Sequence, residues 1–254
     1  MIKNIKIKNF EISNKSRPYI VAELSANHSG ELKNVYKAIK VAKKSGADAI
    51  KIQTYTPDTM TIDSSKNDFK IKKGLWKGDT LYELYKKAYT PFEWHDKIFK
   101  YADKIGITCF STPFDKTAVD LLESLNTPIY KIASFEITDL ELLEYIASKK
   151  KPIILSTGMA NLNEIKEAIK TINSKKNNNI ILLHCVSGYP SPISEINLKT
   201  IRDLREKFNL HVGLSDHTLT NIASTVSVAY GSCLIEKHFK LNNKLKTPDD
   251  KFSL

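Results

Sequence analysis

Short apolar runs that stop abruptly in polar side chains recur along this chain, and residues at helical spacing fill the stretches between them. Residues 19–23, 48–53, 107–111, 128–133, 152–156, 180–184, 211–215 and 232–238 read as strands, because brief continuous apolar runs suit strands covered on both faces. Helical periodicity occupies 32–45, 91–105, 116–125, 140–149, 161–173, 196–208 and 219–230, and Gly46 closes the first of these as a C-cap would. Every strand but the last is therefore followed by a helix. Eight such units predict a closed parallel α/β barrel of the TIM (β/α)8 type rather than an open sheet. Ahead of it, residues 2–8 and 10–12 alternate around a turn, predicting a hairpin. The expected division is a hairpin at 1–17 that caps the barrel and a barrel at 18–254. Residues 55–89 are too long for an ordinary strand-to-helix loop. On a barrel they lie over the active face, with Trp76 as part of a lid or a substrate wall.

Composition narrows the class. A chain of 254 residues with 41% hydrophobic content fits one large α/β domain. No apolar run approaches the roughly 20 residues of a membrane span, and the N-terminus has no signal-peptide core. Cys109, Cys185 and Cys233 all sit in apolar runs, as expected of reduced thiols in a cytoplasm, and C-x-x-C spacing is absent. The net charge of +11 comes almost wholly from lysines spread along helix faces, not from an Arg- and aromatic-rich patch. It argues against nucleic acid as a partner and for mild steering of an anionic substrate.

In a barrel the chemistry gathers at the carboxyl ends of the strands. The last two strands end in Asp216-His217 and in Glu236-Lys237-His238. Such groups are costly to bury unless they meet partners, so neighbouring strands are expected to deliver His217 and His238 to one mouth, where both hold a divalent metal. The plainer alternative is that each satisfies a local hydrogen bond. Other polar residues at strand ends are Glu23, Lys51, Gln53, Ser111, Thr112, Lys131, Ser134, Glu136, Ser156, Thr157, His184, Ser187, Ser215 and Glu236. Lys51 and Lys131 each lie between apolar neighbours and should point inward, making a pocket for a phosphate plus a carboxylate. A Schiff-base aldolase would also use a lysine at a strand end. The second lysine and the histidine pair favour a carbonyl polarised by a metal and attacked by a carbon nucleophile such as phosphoenolpyruvate.

Several segments also carry a family likeness: 22–28 (AELSANH), 49–54 (AIKIQT), 110–115 (FSTPFD), 130–136 (YKIASFE), 154–158 (ILSTG), 189–192 (YPSP), 213–218 (GLSDHT), 235–239 (IEKHF) and Pro248-Asp249. From about residue 18 onward the chain resembles the sialic acid (nonulosonic acid) synthase family. Residues 89–94, 114–120 and 134–140 look most like its pseudaminate branch. The resemblance implies condensation of phosphoenolpyruvate with an acetamido sugar, for that branch 2,4-diacetamido-2,4,6-trideoxy-altropyranose. Neuraminate or legionaminate synthesis is the alternative within the family, and an inactive metal-binding barrel fragment is the alternative outside it. It implies His217 and His238 as ligands of manganese, with magnesium or cobalt as substitutes. It places Lys51, Thr112, Lys131, Ser134, Ser156 and Ser215 around phosphoenolpyruvate, and Gln53, Glu136, Ser187, Tyr189 and Asp249 on the sugar side. Glu23 and Glu236 are then the catalytic carboxylates. The family further implies a homodimer working in a bacterial cytoplasm for flagellar or surface glycans. Its members carry a last barrel helix and a C-terminal antifreeze-like domain that lends an Arg to the partner; a chain ending at Leu254 is expected to lack all three.

Overall fold

The computed structural model describes residues 2–13, 15–241 and 246–254, so Met1 and Asn14 of the predicted hairpin segment lie outside the described residues. β1 (Ile5–Ile7) and β2 (Phe10–Ile12) form an antiparallel ribbon, with Lys8 at positive φ in its turn. The barrel begins with β3 (Tyr19–Glu23), α1 (Leu32–Lys44) and β4 (Ala49–Thr54). The long connection that follows contains α2 (Pro57–Met60), a 3-10 turn at Asn67–Phe69 and α3 (Leu81–Ala88). Then come α4 (Phe92–Ile105), β5 (Thr108–Pro113), α5 (Lys116–Ser124), β6 (Tyr130–Ile132) and α6 (Leu140–Ser148). The remaining elements are β7 (Ile153–Ser156), α7 (Leu162–Ser174), β8 (Ile180–Cys185), α8 (Lys199–Phe208), β9 (His211–Asp216), α9 (Ile222–Ala229) and β10 (Leu234–His238). β3 to β10 are all parallel and close into one eight-stranded barrel through the pairing of β10 with β3. The architecture is the predicted (β/α)8 barrel.

Local chemistry sets the helix ends. Asp115 caps α5 by accepting from Thr117 N and Ala118 N, and Asn161 and Glu164 form a capping box on α7. α4 stops where Gly106 turns left-handed at φ 74°. The core has an inner and an outer part because successive strand residues face opposite ways. Leu182 and Val212 pack outward under the helices, whereas Ile154, Ile181, Leu183 and Leu234 fill the interior with Phe110. Ile5, Ile7 and Ile12 of the hairpin join that interior cluster beside Tyr19 and Cys233, which precede or open their strands. The hairpin therefore plugs the amino end of the barrel, and the carboxyl end is the open one.

Among the described residues β10 is followed by no helix. The chain turns across the carboxyl end instead, with a 3-10 turn at Asp250–Phe252, and its last residues pair back on the end of β10 through Leu254 N to His238 O at 3.1 Å and Lys240 N to Leu254 O at 2.8 Å.

Gly213 on β9 shows how tightly this wall is packed. A Cβ there would overlap the Leu234 carbonyl oxygen and come within 2.8 Å of Leu183 Cδ2. Gly213→Ala should therefore destabilise the fold by about 1–3 kcal/mol, the usual penalty for overpacking. Denaturant unfolding checks it; unchanged stability would mean that the strand can shift to make room.

Candidate active site

β3, β4, β6 and β10 each carry a charged residue on the inward face of their carboxyl half, and these four side chains meet. Glu23, Lys51, Lys131 and Glu236 are each no more than 3% exposed. Lys51 Nζ lies 2.6 Å from Glu23 Oε2 and 3.7 Å from Glu236 Oε1, and Lys131 Nζ is 3.4 Å from the same Glu236 oxygen. Hydroxyls edge the cluster: Lys51 donates to Thr112 Oγ1 at 3.2 Å, and Ser215 donates to Glu236 Oε1 at 3.2 Å.

The two carboxyls differ in acidity. Burial pushes Glu23 up to about 7 against the pull of Lys51, and neighbouring Glu236 adds to the rise. Burial also acts on Glu236, but Lys131, Lys51 and His217 outweigh it and hold that carboxyl below its ordinary range. Lys131 is lowered by burial, whereas Lys51 is raised because Glu23 and Glu236 more than offset its own burial. Carboxyls driven apart in this way divide into one that carries a proton near neutrality and one that stays ionised.

His217 and His238 stand beside the cluster, with ring centroids 5.5 Å apart. His217 Nδ1 is 2.9 Å from the Val186 carbonyl oxygen. A carbonyl can only accept, so Nδ1 carries a proton, and Nε2, 3.5 Å from Ser215 Oγ, is the nitrogen left to gain or lose one; burial lowers the ring's pKa, but Cys185, Val186 O and Glu236 outweigh it and raise it. His238 Nδ1 is buried with no hydrogen-bond partner, and burial followed by His217 and the lysines keeps this ring well below its ordinary pKa, hence neutral. Tyr189 stacks on His217 at 4.4 Å between centroids, and Phe252 lies 4.9 Å from His238. Asp249 is buried 3.9 Å from His238 Nδ1 and accepts from Ala26 N at 3.2 Å. Burial raises its pKa. Among the described residues no group of three or more His, Cys, Asp or Glu is set to hold a metal. A metal held by the two imidazoles would have to draw its other ligands from water or small molecules.

The remaining predicted residues border the same space. Ser134 donates to Cys185 Sγ at 3.7 Å and accepts from Gly158 N at 3.1 Å. Glu136 is half-buried and follows Ser134 into the 3-10 turn Glu136–Thr138; burial pushes its carboxyl up to about 7, with Lys131 pulling against it. Ser156 ends β7 and Gln53 lies on the inward parity of β4 two residues after Lys51, and neither bonds another predicted site residue among the described residues. Ser187 lies where its Oγ would meet a Cβ at Gly158. Buried oxygens or nitrogens without a hydrogen-bond partner concentrate here, on Glu23, Glu136, Ser156, Ser187, Glu236 and His238. Buried polar atoms are ordinarily paired, so this convergence marks a surface built to receive a polar ligand.

Strand parity corrects two expectations. Thr112 and Cys185 face the mouth, so Ser111 and His184, one residue earlier, face the helices. Ser111 bonds Ile52 O and the Thr54 hydroxyl, which meets His95 of α4, and His184 Nε2 bonds Ile196 O at 2.6 Å. Thr157 is used locally on Leu183 O. The sequence reading missed other parts. Cys185, read only as a reduced thiol in an apolar run, has its sulfur 3.9 Å from His217 Nδ1; counting parity from Ile181 would have turned it inward. Asn27 clasps the final segment, donating to Phe239 O at 2.9 Å and Ser253 Oγ at 2.8 Å and accepting from Thr247 Oγ1 at 2.5 Å. Trp76, expected in a lid or a substrate wall, holds the same segment from the other side, its indole N–H donating to Pro248 O at 2.8 Å. The long connection thus fixes the strap that presents Asp249.

The profile of the NeuB family matches residues 38–254. The pseudaminic acid synthase of Campylobacter jejuni is 50% identical over 250 residues, covering 98% of this chain and 72% of that protein. The pseudaminic acid synthase of Helicobacter pylori is 49% identical over 237 residues, covering 93% and 70%. The crystal structure of N-acetylneuraminic acid (sialic acid) synthetase from Leptospira borgpetersenii, in complex with citrate, superposes with a TM-score of 0.89 at 31% identity, covering 100% of this chain and 84% of that one.

The charge cluster makes a direct prediction. Removing the cation of Lys51 by Lys51→Met should raise the Glu23 carboxyl above its value of about 7, since the main stabiliser of its ionised form is lost. Infrared difference titration of the carboxyl band reads this shift, and an unchanged or lower midpoint would refute the assigned pairing.

Proposed function

This chain belongs to the NeuB family of sialic acid synthases, and on that premise we propose that it works as a pseudaminic acid synthase. It condenses phosphoenolpyruvate with 2,4-diacetamido-2,4,6-trideoxy-altropyranose and water, giving pseudaminic acid and phosphate. The observation that carries the reading is the half-identity to pseudaminic acid synthases over nearly the whole chain. The buried charge cluster at the barrel mouth supports it.

Lys51 and Lys131 supply the cations for the phosphate and carboxylate of phosphoenolpyruvate, with Thr112, Ser134, Ser156 and Ser215 as hydroxyl donors around them. Gln53, Glu136, Ser187, Tyr189 and Asp249 face the sugar. The C3 carbon of phosphoenolpyruvate bonds to the aldehyde carbon of the open-chain sugar, and positive charge develops at C2. Glu236, held ionised by its lysines, stabilises that charge. Glu23 takes a proton from the water that adds to C2, the sugar's former carbonyl oxygen takes one up to become a hydroxyl, and the tetrahedral C2 then loses its hydroxyl proton as the C2–O bond to phosphate breaks, leaving the 2-keto acid. The donor set fits a divalent metal: His217 has Nδ1 committed to Val186 O, which leaves Nε2 as its ligand atom once deprotonated, and His238 Nδ1 is buried without a partner. When bound there, manganese or a similar ion would supply Lewis-acid polarisation of the sugar carbonyl. Three buried free thiols support a reducing bacterial cytoplasm as the setting. Exposed apolar side chains on the loops of the mouth, such as Phe135, Met159 and Ile193, support a homodimer.

Phosphate release from phosphoenolpyruvate with manganese, assayed in parallel with the altrose-derived sugar and N-acetylmannosamine, tests the reading. Release with the first sugar alone is expected. Release only with N-acetylmannosamine would move the chain to the neuraminate branch, and none with either sugar would leave a metal-binding barrel without this activity. For the wild type, kcat/KM should climb with pH through about 7, because the base works only after Glu23 loses its proton. Glu23→Gln should lower kcat on the order of a hundredfold or more and flatten that limb. A full-rate Gln variant would remove Glu23 from the proton transfer.

A further inference from the structure

The outer wall of the barrel, behind the two histidines, carries a second buried ion pair that takes no part in the steps above. β9 and β10 pair with Lys237 opposite Asp216. Glu236 and His238 face inward, as do Ser215 and His217, so alternation turns Lys237 and Asp216 toward the helices. Their side chains are 12% and 0% exposed, and Lys237 Nζ is 2.9 Å from Asp216 Oδ2. Asp216 also accepts from Ser224 Oγ of α9 at 2.5 Å and from Thr218 N at 2.9 Å. Lys237 donates to Thr218 O at 2.7 Å.

The backbone of Thr218, the residue directly after His217, is thus gripped at its N–H by one member of the couple and at its carbonyl by the other. Each member is also the sequence neighbour of one imidazole. The couple ties the end of β9 to the end of β10 at the height of the two rings, while Ser224 ties both to α9. Buried ion pairs are weak contributors to net stability, and their best-attested use is to fix geometry. The contacts of the His217 ring with Val186 O and Tyr189 set its rotation. They do not set the spacing of its strand from that of His238.

We propose that Asp216 and Lys237 are positioning residues that fix the separation and orientation of the His217 and His238 rings, and through them the affinity of the site for a divalent metal. The inference rests on the reading of those histidines as the metal-holding pair. Manganese alone is the probe, titrated into the purified protein by calorimetry or by its electron paramagnetic resonance signal, with phosphoenolpyruvate binding measured separately without metal. Lys237→Met should weaken manganese binding at least tenfold and leave phosphoenolpyruvate binding within twofold, because Lys51 and Lys131 sit on other strand ends. Lys237→Met combined with Asp216→Leu removes the orphaned charge along with the grip on Thr218. It should recover the wild-type melting temperature to within a few degrees and still bind manganese weakly. Manganese binding within twofold of wild type in the double variant would overturn the proposal. Failure of the wild type itself to bind manganese would overturn the metal reading and this role with it, and it is told apart because wild type and variants then behave alike from the start.

Discussion

Four charged side chains can persist inside an apolar barrel only as one mutually compensated cluster. Taking a carboxylate or an ammonium out of water costs several kcal/mol even after relaxation, and Glu23, Lys51, Lys131 and Glu236 are all almost fully enclosed. No single pair closes the account: Lys51 is shared between both carboxylates, and Glu236 between both lysines. The arrangement therefore demands a strand register that brings these four residues into one layer of the barrel interior. The register supplies this by setting Lys51 opposite Glu23 on the neighbouring strand, with Glu236 two positions earlier beside Val21. The hairpin at the other end matters for the same reason. By sealing the amino end with Ile5, Ile7 and Ile12, it leaves the cluster one exit, the mouth where substrate arrives.

The outward residues of the same strand ends do complementary work. Ser111 joins Thr54 and His95, His184 holds Ile196 O, and Asp216 reaches Ser224. Each ties a strand end to a helix or to the loop beyond it. A barrel wall one residue thick must place chemistry on one side and support on the other. Polar pairs such as Ser111-Thr112 and Asp216-His217 show both duties carried by adjacent positions.

That division explains what the sequence could tell. Alternating strand and helix patterns specify the barrel because each unit is local. Lys51 and Lys131 were legible as inward residues from their apolar flanks, and the histidines from their places at the ends of adjacent strands. The family likeness then supplied substrate-side positions such as Tyr189 and Asp249, which no local pattern singles out. Ser111 and His184 were placed in the mouth because a strand's last polar residues were read together, without fixing which one shares parity with the known inward lysine. The contacts of Asn27, and those of Trp76, which was read only as part of a lid or a substrate wall, escaped notice for a different reason. Their partners lie more than 170 residues away in sequence, on the strap at Thr247, Pro248 and Ser253, and such contacts leave no periodicity behind. The Asp216–Lys237 couple was visible only as two charges beside two histidines; pairing them requires the register of β9 and β10.

Under the proposed function, the charge cluster also constrains how the phosphoenolpyruvate anion enters. Lys51 and Lys131 have already lost their water to neighbouring carboxylates, so exchanging a carboxylate for a phosphate oxygen asks for no further dehydration of either ammonium. The carboxylate displaced from Lys51 is Glu23, whose acidity already sits near neutrality. With its cation drawn toward the ligand, Glu23 gains proton affinity at the moment when the incoming anion adds negative charge. Glu236 responds differently, because Lys131 and His217 continue to favour its ionised form. One carboxyl is thereby left to exchange protons with water, and the other remains a fixed negative charge beside the carbon that becomes cationic. In the proposed reaction, the roles of the two acids follow from which lysines each one keeps when phosphoenolpyruvate binds.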